Sequence, residues 1–128
     1  MKFPTFNTKV DFLPITDIAI KGEFWQELQV FVDSGASFSI IHSSIANAIG
    51  IKTENGKLVY ITVGDGGEIP VYLHRLPVRL QDKEFEADIG FSEKLGIGFN
   101  ILGRKDFFER FMFCFSDRKR IMKVIEIP

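Results

Sequence analysis

The apolar run Leu28-Gln29-Val30-Phe31-Val32 stops abruptly at a carboxylate, Asp33, and Ser34-Gly35-Ala36-Ser37 follows at once. This junction restricts the chain more than any other stretch. Residues 24 to 32 read as a strand, and the strand would carry Asp33 out of the sheet at the edge of a core. Gly35 can take a positive φ, so a tight turn can hold the carboxylate in one place. Ala36 is small and leaves room for an approaching group. A carboxylate fixed beside an apolar core has a tunable acidity. Asp-Ser-Gly is also a common turn tripeptide, so the rest of the chain has to decide between an ordinary turn and a catalytic one.

In chain order, residues 1 to 10 show no strong period, and Phe3, Phe6 and Val10 could anchor an extended arm. Residues 18 to 32 read as a hairpin leading into Asp33. Phe38-Ser39-Ile40-Ile41 is a short apolar strand after the turn. Ser43 or Ser44 can cap a short helix through residues 45 to 49, with Gly50 as its stop. Leu58 to Val63 reads as a strand, Gly64-Asp65-Gly66-Gly67 as a bendable tip, and Ile69 to Leu73 as the returning strand. Leu76, Val78 and Leu80 alternate as a half-buried strand, and so do Phe85, Ala87, Ile89 and Phe91. Asn100-Ile101-Leu102 is a short apolar strand that stops at Gly103, and a helix is expected from Arg104 onward. On it Phe107, Phe108 and Phe111 share a buried face, while Lys105–Glu109 and Asp106–Arg110 are spaced i,i+4 for surface pairing. From Phe111 the period shortens to that of a strand, a turn falls at residues 116 to 119, and Arg120 to Ile127 closes the chain. Short strands at close spacing with one or two short helices point to an all-β, closed, barrel-like fold.

No linker or change of composition divides residues 1–128, so one domain is expected. The 16 basic and 17 acidic side chains nearly cancel, which argues against broad electrostatic binding of nucleic acid or of an anionic membrane. No apolar run approaches the roughly 20 residues that span a bilayer. The first residues lack the apolar segment of a signal peptide, and the single cysteine, Cys114, has no partner for an internal disulfide. A reducing, cytoplasmic setting is the expectation. His42 reads as a strand end, and His74 has no His, Cys or acid at a metal-binding spacing, so neither metal nor cofactor is expected.

The ordered set of a hairpin into Asp33-Ser34-Gly35-Ala36, a glycine-tipped hairpin, and Ile101-Leu102-Gly103 resembles the retropepsin-like aspartic peptidases, the single-lobe relatives of pepsin. The resemblance runs from about Ile18 to Ile127. It implies a single-lobe acid-protease fold that supplies one catalytic aspartate, Asp33, and a homodimer formed through the active-site loop Ser34, Gly35, Ala36 and Ser37. It implies that Val63, Gly64, Asp65, Gly66 and Gly67 form a flap over a peptide or protein substrate. Ile101, Leu102, Gly103 and Arg104 would support the loop. Asp65-Gly66-Gly67 and Asp88-Ile89-Gly90 lack the hydroxyl residue of the motif, so the chain offers no second catalytic aspartate. The chain departs from retroviral members at Ser37, where many carry an aspartate paired with the arginine after the glycine. Here Arg104 lacks that acid and has Asp106, a backbone carbonyl or nothing as alternatives.

The implied reaction is peptide-bond hydrolysis by a water activated between two Asp33 carboxylates. Facing carboxylates share one proton, so one acts as base on the water while the other donates to the carbonyl. The alternative is a silent peptide-binding or dimerisation module with the same fold, motivated by Ser34 and Ser37.

Overall fold

A computed structural model describes residues 2–6, 9–62, 66–95 and 99–128, with side chains from residue 13 onward. Its strands are β1 (Lys2–Phe6), β2 (Lys9–Phe12), β3 (Ile15–Lys21), β4 (Trp25–Val32) and β5 (Ser39–His42). After the helix α1 (Ser43–Ala48) come β6 (Lys57–Thr62), β7 (Glu68–Leu80), β8 (Lys83–Ser92), β9 (Asn100–Leu102), β10 (Phe111–Ser116) and β11 (Ile121–Glu126). The expected all-β fold is borne out.

The main sheet runs in the order β3-β4-β9-β5-β8-β7-β6, and an added β3–β7 pairing closes it into a six-strand barrel with β6 attached outside the ring. Most neighbours are antiparallel. The exceptions are β4 with β9 (Val32 opposite Leu102) and β5 with β8 (Ile40 opposite Gly90), which run parallel. Alternation along the strands sends Ile18, Ile20, Val30, Val32, Ile41, Val78, Leu80, Ala87, Ile89, Phe91 and Leu102 into one buried cluster. Phe107 and Phe111 plug the same cluster and are essentially inaccessible, as the shared face anticipated, while Phe108 is half-buried.

The structure corrects several expectations. Lys2–Phe6 and Lys9–Phe12 are not a lone extended arm, because they pair as the antiparallel strands β1 and β2. Strands β10 and β11 pair as the closing hairpin that was expected, separate from the barrel. Residues 69–73 and 76–80 belong to one 13-residue strand, β7. A proline cannot donate to a ladder, and this strand carries two. Pro70 faces only β6 and Pro77 only β8, however, so neither has to bond on both sides. Helix α1 ends before Gly50, which takes a φ of +77° at the stop. The cap is His42 and not a serine: its Nδ1 accepts the Ser44 N–H at 3.1 Å.

The helix expected after Gly103 does not form. Residues 104 to 110 make consecutive turns, with Phe108 N–H donating to Arg104 O at 2.9 Å and Phe111 N–H to Phe107 O at 3.0 Å. Asp106 sits at φ +71°, a left-handed conformation that no α-helix can carry through.

Candidate active site

Strand β9 lies between β4 and β5 in the barrel, so the chain leaving β4 must arch over the end of β9 to enter β5. That arch is residues 33–38. Beneath it, β9 runs on into Gly103, Arg104 and Lys105. The two segments are sewn together by backbone bonds. Asp33 N–H donates to Leu102 O at 2.9 Å, Arg104 N–H to Ala36 O at 2.9 Å, and Lys105 N–H to Ser37 O at 3.0 Å. The buried Ser39 hydroxyl accepts the Gly103 N–H at 2.9 Å. This close approach explains the glycine. A Cβ at position 103 would lie 2.3 Å from Phe38 O and 2.9 Å from Ala36 O.

Within the arch, Ala36 N–H donates to Asp33 O at 3.1 Å and closes a tight turn. The Asp33 carboxylate is half-buried, and its Oδ1 accepts the Gly35 N–H at 2.9 Å. Ser34, Gly35 and Ser37 are exposed around it. Asp33 therefore presents a carboxylate of fixed orientation on a loop whose neighbours face outward. Such a group can accept a proton from water or bind one for donation, and a second carboxylate brought against it would share that proton.

The predicted residues 33 to 37 and 101 to 104 thus form one unit. Leu102 is in the core, and the half-buried Ile101 pairs with Phe31 and Ile40. Gly66 and Gly67 are exposed beyond the last pair of the β6–β7 hairpin, Thr62 opposite Glu68, and Gly66 takes a φ of +87°. Val63, Gly64 and Asp65 lie outside the described residues. Among the described residues no group of His, Cys, Asp and Glu could hold a metal ion.

Arg104 finds a backbone carbonyl, not Asp106. Its Nη1 donates to Ser34 O at 3.3 Å, and its guanidinium lies over the Phe108 ring at 4.9 Å. The anticipated i,i+4 pairs are absent as well. Asp106 Oδ2 instead accepts Arg75 Nη1 at 2.8 Å and the Asp88 N–H at 2.8 Å, while Lys105 Nζ donates to Asp88 Oδ2 at 2.7 Å. Arg110 stacks on Phe85 at 4.7 Å. Partial burial pushes the Asp88 carboxyl upward, but hydrogen bonds from Lys105 and Arg75 and their positive charges outweigh it and hold the group below its ordinary range. Lys105 therefore fixes Ser37 through its backbone and β8 through its side chain. The contribution of Ser39, Asp88 and Asp106 was not anticipated. The signal available was a lone serine in the apolar run 38 to 41; the aspartates gave none, since their partners are distant in sequence.

Residues 16–89 match the profile of a family described as Aspartyl protease. Among solved structures, the EIAV protease complexed with the inhibitor HBY-793 is similar to this chain, with a TM-score of 0.55 and 21% identity over 79% of this chain and 88% of that one. No curated protein sequence matches the chain.

Proposed function

The chain belongs to the aspartyl protease family and has a single-lobe, retropepsin-like fold, and on that premise we propose that it is an aspartic endopeptidase acting as a homodimer. Asp33 of each copy supplies one carboxylate. The observation that carries this reading is the Asp33 turn itself, clamped from below by residues 102 to 105 and exposed along Ser34 and Gly35. The exposed loop can meet its own copy across a two-fold axis, an isologous contact. Two carboxylates about 3 Å apart cannot both ionise cheaply, so the pair holds one proton and titrates as a unit. The charged member takes a proton from the attacking water. The protonated member donates to the scissile carbonyl as the tetrahedral centre forms. In this reading the Ser34 hydroxyl bonds across the axis to its copy. The β6–β7 hairpin, with Gly66 at its tip, closes over an extended substrate, which pairs with it through main-chain hydrogen bonds.

The test is cleavage of a peptide library, read as new termini by mass spectrometry between pH 4 and 7. We expect products from the wild type, most at mildly acidic pH, and a loss of about a thousandfold in Asp33→Asn. Equal cleavage by that variant would overturn the mechanism. Peptide binding without any product would favour a silent module.

A further inference from the structure

A cleft of about 710 Å³ opens directly beside the Asp33 loop, with Ser37, Phe38, Arg104, Phe108 and Glu109 along its walls. Lys105 and Asp106 also reach it, but both are committed: Lys105 to Asp88 at 2.7 Å, and Asp106 to Arg75 at 2.8 Å. Arg104 is different. It forms no ion pair with any described carboxylate, and of its five N–H donors one reaches Ser34 O, at the long distance of 3.3 Å. Ser37, on the same cleft, carries a hydroxyl and not a carboxylate. Phe38 and Phe108 add apolar surface, and the Arg104 guanidinium lies over the Phe108 ring at 4.9 Å.

We infer that Arg104 is a specificity residue that binds an acidic side chain of the substrate in this cleft. The inference rests on the peptidase reading above and names the substrate class that reading leaves open. Position carries the argument. The Arg104 backbone is bonded to Ala36 O and its guanidinium touches Ser34 O, so the cation is fixed relative to Asp33. A peptide laid across Asp33 brings its side chains past a planar, permanently charged fork that matches a carboxylate in two-point geometry. The methylenes of that side chain meet Phe38 and Phe108. Glu109, on the same cleft and in no ion pair among the described residues, limits the charge accepted there to one acid.

The experiment uses two readouts on the full chain. First, matched peptides carrying Glu or Gln at each position within four residues of a cleaved bond are compared by kcat/KM. At one position the wild type is expected to favour Glu about tenfold, a modest ratio because the site is open to water. Arg104→Gln is expected to bring the ratio to about one. Ser37→Asp does the same by supplying the cation with an internal partner, and Glu109→Gln raises the ratio. Second, binding of the same peptides to Asp33→Asn is followed by fluorescence anisotropy, which reports the preference without turnover. A wild type that cleaves both peptides equally overturns the inference and leaves the peptidase standing. Binding with a Glu preference but no cleavage overturns the peptidase and leaves the acid recognition. If Arg104→Gln lowers cleavage of both peptides alike and sedimentation shows the dimer dissociating, Arg104 serves a second copy of the chain, and the inference fails.

Discussion

Gly103 and Ser39 determine whether Asp33 has a floor to stand on. The Gly103 Cα is crowded by carbonyls of the arch, and carbonyl backbone has nowhere to retreat. Gly103→Ala is therefore expected to cost about 3 kcal/mol in denaturant unfolding, at the upper end for a single added methyl group. Ser39→Ala leaves the Gly103 N–H buried without an acceptor and costs about 2 kcal/mol. Ser39→Cys retains a poorer acceptor, so its cost falls between the wild type and Ser39→Ala. Chemical denaturation of the three variants against the wild type orders them. Asp33 and Gly103 were both legible from sequence, since a carboxylate ending an apolar strand and a glycine ending another are local signals. Ser39 was not, because its partner lies 64 residues away.

The segment from Arg104 to Arg110 shows where pattern reading stops. Phe107, Phe108 and Phe111 have helical spacing, and their burial follows it. The backbone does not, because the side chain of Asp106 is drawn inward to the β7–β8 pair and forces a positive φ. Strands were readable by their period of two, since each needs only one buried face. The tie between this segment and β8 depends on Arg75 and Asp88, and no local pattern encodes it. Asp106→Ala strips acceptors from Arg75 and the Asp88 N–H and is expected to lower stability by about 2 to 3 kcal/mol in thermal or denaturant unfolding. The same tie gives a pH dependence. Asp88 titrates lower folded than its ordinary value of 3.8. Its stabilisation is thus fully present above that value and is lost as pH falls through it toward the folded value. Melting temperatures of Asp88→Asn and wild type should differ at pH 6, and the gap should shrink as pH falls below 3.8. A constant gap across that range would contradict the linkage.

For the whole molecule, the homodimer reading makes a demand on the surface. The β10–β11 hairpin pairs Met112 with Ile125 and Ser116 with Ile121 on its outward face. Met112 is 50%, Ile125 43% and Ile121 37% exposed. Such a cluster on a small domain suits a partner surface. Met112→Glu is expected to weaken self-association at least tenfold in sedimentation while leaving the melting temperature of the diluted monomer within a degree or two. Cleavage should fall in proportion to the dimer lost and return at high protein concentration. Unchanged association would place the contact elsewhere on the molecule. The closed barrel could be inferred from the run of short strands, but the seam that closes it could not. The β3–β7 seam consists of two pairs, Ala19 with Arg79 and Ile20 with Val78, and only the folded ring brings them together.

The arch over β9 also sets a timetable. Ser34 and the arginine that props it are 70 residues apart, and a ribosome adds roughly 5 to 20 residues each second. For several seconds of synthesis the Asp33 turn exists without its floor, as a loose hairpin end that cannot hold a carboxylate still. The Asp33 loop gains its floor only when the ring strands through β9 have emerged. On the peptidase reading, the nascent chain has no working site until residues 102 to 105 have emerged.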